Sequence, residues 1–178
     1  IDRVRSRVDP EEMTNQNYIS LKHMGKGEPR INQKEDAKDV SSQKYAFEKN
    51  DILFGKLRPY FRKVALAKFD GICSTDINVI KPTEIVGRDF LFYTLVRQDF
   101  IDVADKTSTG TRMPRADWSK LTDMKVALPP LEEQKKISSV LYILDEKIET
   151  NNHINEILEE IAQTLFKSWF VEFEPYED

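Results

Sequence analysis

The chain has 178 residues, 39% of them apolar and 33% charged, enough for one ordinary domain with a modest core plus an appendage. Its single cysteine, Cys73, excludes an internal disulfide and any Cys-rich zinc site, which suits a reducing cytoplasm. No apolar run approaches the roughly 20 residues of a membrane helix, and the first residues carry no secretory-signal pattern. The net charge of −4 is unevenly spread: residues 1–130 hold 23 Lys+Arg against 19 Asp+Glu, and residues 131–178 hold 4 against 12. A basic front and an acidic back suggest two surfaces with different partners; an exposed, Glu-rich helix alone would also give this pattern.

Residues 25–50 are polar and read as a loop or a short helix. Residues 50–82 alternate apolar and polar positions between turn signals. They predict strands near Asp51–Leu57, Arg62–Ala67 and Ile77–Lys81, with turns near Asp70-Gly71 and Pro82. Residues 88–103 have apolar side chains at helical spacing and predict one short helix; residues 106–117 are small, polar and basic, hence a loop. The front is therefore expected to be an α+β domain with a mixed β-sheet, over residues 1–128.

Leu128-Pro129-Pro130-Leu131 marks the sharpest boundary. The second proline suits the first turn of a helix, and Glu132 and Glu133 follow where the helix dipole favours carboxylates. No Pro or Gly interrupts the chain from there to about Phe170, so these 40 residues predict one long helix of about 60 Å, the core of a second region over residues 129–178. Ile137, Leu141, Leu144, Ile148, Asn151, Asn155, Leu158, Ala162, Leu165 and Trp169 recur at alternating steps of four and three, the period of a coiled-coil seam. Asn151 and Asn155 lie at its centre, where polar residues reduce stability but define register. Ile154, Ile157 and Ile161 widen the apolar face, as a helix meeting more than one neighbour requires. A core helix of a single domain is the competing reading.

Catalytic patterns are missing from the sequence. There is no phosphate-binding glycine loop, no dinucleotide fingerprint, no nucleophile elbow and no Asn-Pro-Pro-Tyr methyltransferase motif. His23 and His153 lie too far apart in sequence for a metal pair; Asp and Glu are plentiful without acid–base spacing, and Asp51 and Asp76 could serve as nuclease carboxylates. Basic and polar clusters are the stronger signal. One joins Lys56, Arg58, Arg62 and Lys63 to Tyr60 and Phe61; a second runs Lys106, Thr107, Ser108, Thr109, Gly110, Thr111, Arg112; a third is Lys22, Lys26 and Arg30 beside Gly25 and Gly27. Such residues supply phosphate contacts, and Arg can bind guanine edges bidentately. Ordinary solvated turns have the same composition, so these clusters leave DNA binding and a plain surface both open.

Three stretches carry a resemblance: DILFGKLRPYFRKVALAKFDGICSTDINVIKP, GTRMPRADWSKLTDMKVALPPLEEQKKI and LYILDEKIETNNHINEILEEIAQTLFKSWFVEFEP. Together they cover roughly residues 50–175 and resemble a target-recognition domain and conserved helix of type I restriction–modification specificity subunits. The ALPPLEEQKKI and LFKSWFVEFEP segments are the specific ones. The resemblance implies a non-catalytic chain. Such a subunit has two recognition domains, each reading part of a split double-stranded DNA site, and two conserved helices that pair antiparallel as a spacer and dock methyltransferase subunits. S-adenosylmethionine, ATP and Mg would be held by the methyltransferase and motor/endonuclease partners, and this chain would need no cofactor or metal.

With one domain and one helix, the chain resembles half of such a subunit, either a natural half or a piece of a longer one. It begins with Ile1 rather than Met, as a piece would. Two copies pairing their helices about a two-fold axis would supply the second half. Within the resemblance, Lys56, Arg58, Arg62, Lys106, Ser108, Thr109, Gly110, Thr111 and Arg112 are the expected DNA-binding residues. Arg112 is favoured for base contact, and Lys56, Arg58 and Lys106 for phosphates. Arg58 could instead be a strand end paired with an inner carboxylate, and the Gly110–Pro114 loop could merely position the helix. The aromatic residues Phe166, Trp169, Phe170 and Phe173 would pack on a recognition domain or methyltransferase subunit, or on the partner helix. A coiled-coil adaptor without DNA readout is the alternative function.

Overall fold

The computed structural model describes residues 2–4, 6–10 and 16–174. Contacts divide the chain into two compact units, residues 1–136 and 137–178. The first unit is α+β. One antiparallel sheet has the order β1-β9-β6-β7, from strands β1 (Asp2–Val4), β6 (Ile52–Gly55), β7 (Val64–Leu66) and β9 (Ile77–Lys81). A second sheet has the order β2-β5-β8-β3-β4, from β2 (Arg7–Val8), β3 (Asn17–Ile19), β4 (Glu35–Asp36), β5 (Lys44–Phe47) and β8 (Gly71–Cys73). It is mixed, because β3 and β8 run parallel while its other pairs are antiparallel.

The central strand β6 explains the layering. Successive side chains of a strand point to opposite faces. Ile52 and Phe54 join Val64 and Ile80 under Leu91, Phe92, Leu95, Phe100, Ile101 and Ala104 of the helices. Leu53 faces the other way, with Ala65, Val79 and Ile77, and meets Ile19, Tyr45, Phe47 and Cys73 of the second sheet. Both faces of β6 are therefore covered, and all four of its residues are buried. Gly71 permits the parallel approach of β3, since a Cβ there would lie 2.4 Å from the Asn17 carbonyl oxygen.

The predicted strands at 51–57, 62–67 and 77–81 correspond to β6, β7 and β9. Three expectations require correction. The turn placed at Asp70-Gly71 leads directly into β8, whose three residues are buried between β3 and β5. The polar stretch 25–50 contains β4 and β5; their apolar residues are too sparse to announce strands, yet Tyr45 and Phe47 reach the inter-sheet core. The single helix over 88–103 is two, α1 (Arg88–Val96) and α2 (Gln98–Lys106), separated by Arg97 in extended conformation (φ −58°, ψ 143°). That one residue re-aims the chain so that Leu91 and Leu95 from α1 and Phe100, Ile101 and Ala104 from α2 all join one core cluster.

A short helix α3 (Trp118–Thr122) follows, capped by Asp117 accepting from the Ser119 N–H. The long helix α4 (Leu131–Phe166) runs 36 residues and continues through a π-helical turn, Lys167–Val171. It starts where its prolines predict: the Pro130 carbonyl accepts from the Glu133 and Gln134 N–H groups. Gln134 is buried; its Nε2 donates to the Ile85 and Pro129 carbonyls, and its Oε1 accepts from the Gly87 N–H. These bonds tie the first turn of α4 to the α+β unit, and the contact-based division falls after Lys136. None of the helices, among the described residues, is long and apolar enough to cross a membrane.

Candidate nucleic-acid interface

Two segments far apart in sequence meet just beyond the end of β6. The Lys56 N–H donates to the Asp76 carbonyl, and the Lys56 carbonyl accepts from the Ala116 N–H. Leu57 and Arg115 form an isolated antiparallel bridge, and the Arg58 N–H donates to the Pro114 carbonyl at 2.7 Å. The 106–117 loop closes on itself, with Thr109 and Arg115 exchanging both N–H···O bonds at 3.0 and 2.9 Å. Gly110 makes that turn at φ 101°, a conformation closed to most side chains. The Arg58 guanidinium spans the two segments by donating to the Arg112 carbonyl at 3.3 Å. Arg58 and Arg62 both sit in the left-handed region (φ 51° and 53°) on either side of the Pro59–Phe61 turn. Such positions are costly for non-glycine residues and gather at functional sites. They leave Tyr60 half exposed between the two arginines.

Arg115 clasps this region together. Its Nε and Nη2 donate to the two Asp76 carboxylate oxygens at 2.9 and 3.3 Å, and its Nη1 to the Met113 carbonyl at 3.4 Å. The Asp76 carboxylate holds the guanidinium pKa above its ordinary value. Sequence reasoning did not select Arg115 for this role, and offered an inner carboxylate only as the alternative partner of Arg58. Arg58 bonds a carbonyl, and Arg115 takes the carboxylate.

The sequence-selected residues separate into groups. Lys56, Arg58, Thr109, Gly110, Thr111 and Arg112 share the joined surface, and Thr109 through Arg112 are exposed. The side chains of Lys56, Lys106 and Arg112 have no carboxylate partner among the described residues. Lys106 closes α2, and Ser108 Oγ donates to the Asp105 carbonyl just beyond it. Arg62 turns elsewhere: its Nη2 donates to the Val96 carbonyl at the end of α1, and its Nε is buried without a partner. Lys63 is buried and donates to the Leu21 carbonyl, and burial lowers its pKa. In the third basic cluster, Lys22 pairs with Glu35, Arg30 with Glu28 at 2.7 Å, and Lys26 lies 4.6 Å over the Phe61 ring.

The two candidate nuclease carboxylates are each engaged separately. Asp76 holds Arg115; Asp51 accepts from the Glu48 N–H at 2.8 Å and lies 3.6 Å from the Lys81 ammonium. No group of three or more metal-capable side chains occurs among the described residues. Along α4 and the π-helical turn after it the seam is bare in this single chain: Ile137, Leu144, Ile148, Leu158, Leu165 and Trp169 are each 46–58% exposed. Val140, Ile143, Ile154, Ile157 and Ile161 beside them are exposed as well, as are Phe166, Phe170 and Phe173.

The family model of the type I restriction modification DNA specificity domain matches residues 10–160. The chain belongs to this family. The HindI specificity subunit of Haemophilus influenzae is 36% identical over 148 residues, covering 79% of this chain and 32% of the relative. The MjaIX specificity subunit of Methanocaldococcus jannaschii is 32% identical over 171 residues, covering 96% and 38%. The crystal structure of the HsdS subunit from Thermoanaerobacter tengcongensis has the same fold, with a TM-score of 0.66 at 23% identity over the whole chain and 48% of that subunit. A second solved structure, from work on assembly and conformational transition of the type I R-M system, gives 0.68 at 23% identity over 97% and 47%. The chain thus spans about a third of the curated relatives it matches and about half of these solved chains. The matched residues 10–160 include the joined Lys56–Arg115 surface and most of α4.

Proposed function

We propose that this chain is the DNA target-recognition half of a type I specificity subunit, reading one part of a split double-stranded site without catalysing a reaction itself. The observation that carries this reading is the joined surface in a chain of this family. Two polar, basic segments, 54 residues apart at Arg58 and Arg112, are locked into one surface by backbone hydrogen bonds and the Asp76–Arg115 clasp. Rigidly presented cations and small polar groups suit contact with phosphates and base edges. Arg112, at the exposed turn, is the base reader; Lys56, Arg58 and Lys106 hold phosphates. Arg62, bonded to α1, steadies the turn rather than meeting DNA. A coiled-coil adaptor without DNA readout lacks a use for this surface. Titration of the chain with duplex DNA between about 50 and 300 mM salt tests the reading: binding that falls steeply with salt supports it, and no binding at the lowest salt overturns it.

The bare seam of α4 calls for a second helix, from another copy or from the rest of a longer subunit. An antiparallel pair centred on His153 matches every seam residue: Ile137 with Trp169, Leu141 with Leu165, Leu144 with Ala162, Ile148 with Leu158, and Asn151 with Asn155. Both asparagines then meet each other, which satisfies their amides and defines the register. Methyltransferase subunits dock on the remaining apolar face of the helix, and a motor/endonuclease subunit joins through them. S-adenosylmethionine, ATP and Mg belong to those partners, and the whole assembly works in the cytoplasm.

A further inference from the structure

An open depression beside the joined surface is lined by Arg3, Lys56, Thr109, Arg115, Trp118 and Ser119. Arg3 comes from the edge strand β1, where it pairs with Ile80, and Lys56 directly follows β6. The Arg3 guanidinium lies 5.6 Å over the Trp118 ring, and its Nε is buried without a hydrogen-bond partner. Arg115 is fixed by Asp76 yet keeps a side chain 43% exposed. Asp117 also borders the depression, but its carboxylate is engaged by the Ser119 N–H and Oγ at 3.1 and 2.7 Å. Three cations therefore face this hollow, against Asp117 and the Asp76 carboxylate that binds Arg115.

We propose that this depression seats one backbone phosphate of the bound DNA, with Arg3 and Lys56 supplying the charge and the Asp76–Arg115 pair shaping its wall. The proposal rests on the reading of the chain as a DNA-binding half-subunit and adds Arg3, a residue that neither composition nor motif singled out. An Arg stacked on an aromatic ring is held in one orientation, and the terminal nitrogens of its guanidinium are donors that match phosphate oxygens. Lys56 serves as a flexible point charge on the same group.

The test is the slope of log K against log salt for a random duplex, measured with the 178-residue chain. Each phosphate neutralised contributes about −0.9 to that slope. Lys56→Gln and Arg3→Gln are each expected to weaken binding several-fold and to reduce the slope by up to about one. Because both act on one phosphate, the double variant reduces it by about one and not by two. Arg3→Lys keeps the charge and the slope, which separates lost charge from lost packing against Trp118. Lys38→Gln, remote in sequence and paired with Asp36, leaves the slope unchanged. Binding with an unaltered slope in both Gln variants overturns the phosphate seat and leaves the DNA-binding reading intact. A slope reduced by two in the double variant overturns the shared site. Absence of any duplex binding by the unaltered chain overturns both.

Discussion

The two units satisfy their apolar residues in opposite ways. The α+β unit buries its own: Ile52, Leu53, Phe54, Ile80 and Leu95 are at most 1% exposed. The long helix leaves comparable residues in water, with Leu144, Ile148 and Leu158 all above half exposure. The first arrangement is complete within one chain; the second leaves an apolar seam in water, which the proposed partner helix would cover. Full burial of a Leu or Ile is worth about 1.5–3 kcal/mol, so the six Leu and Ile positions of the seam favour closure by another helix. The comparison predicts that the units respond differently to substitution: seam changes should alter association and leave the α+β fold intact, and core changes should do the reverse.

The largest expected effect is on association. Ile148→Glu places a carboxylate opposite Leu158 twice in a two-fold dimer, and should raise the dissociation constant by roughly a hundred- to ten-thousandfold. Sedimentation should show a monomer with an unchanged near-ultraviolet signal from the α+β unit. Adding Leu158→Lys to the same chain then sets opposite charges across the antiparallel register and should recover part of the association. In a parallel pair the new Glu residues would face each other and no recovery would follow. An unaltered chain that sediments as a monomer at micromolar concentration would break the comparison at its root.

The converse change is in the core. Phe54 is 1% exposed, and its ring packs edge-on to Phe100 at 5.7 Å and tilted against Trp118 at 6.5 Å. Phe54→Ala should cost about 3–5 kcal/mol, read from denaturant unfolding of the α+β unit. The helices should still associate. Loss of association in this variant would mean that the two units depend on one another more than their separate cores imply.

Within the α+β unit, the joined surface should divide by role. Arg112→Ala should reduce discrimination between the cognate and random duplexes by about 1–3 kcal/mol, while Lys56→Ala weakens both equally and flattens the salt dependence. Equal losses from both variants would remove the distinction between reader and anchor.

Much of the architecture was legible because strong signals did not depend on tertiary context. The 4-3 spacing of α4, its Pro-Pro start and the strands around Phe54 and Val79 can be read directly from residue order. The strands before residue 50 were not legible, since β2 and β4 have two residues each and β3 has three, and β3 takes its parallel partner β8 from far along the chain. Arg97 carries no Gly or Pro signal, so the break between α1 and α2 was hidden. The site was half visible: residue type exposed Lys56, Arg58 and Arg112, but not which cations would be consumed by the fold. Arg62 is drawn to the end of α1, Lys63 is buried, and Arg115 finds Asp76 39 residues away. Those choices are made by backbone paths that residue order alone does not reveal.

The two histidines carry the comparison to its smallest expected effect. His153 stands exposed on the helix, with its Nδ1 3.8 Å from Glu156. His23 is 1% exposed in the α+β unit; its Nδ1 accepts from the Ser20 N–H at 3.0 Å, and its Nε2 lies 3.6 Å from Glu35. Burial disfavours the imidazolium more than the Glu35 carboxylate favours it, so the pKa is held below the ordinary value of 6.5. The unfolded chain therefore binds a proton at His23 more readily than the folded one. The stability this group contributes is complete above pH 6.5 and is lost as pH falls from there toward the folded pKa, by at most about 1.4 kcal/mol per pH unit. His23→Asn keeps an acceptor for the Ser20 N–H and removes the titration. Urea midpoints of the α+β transition should fall between pH 7 and 5 in the unaltered chain, and fall less in the variant. Parallel pH profiles for the two would show that His23 does not contribute.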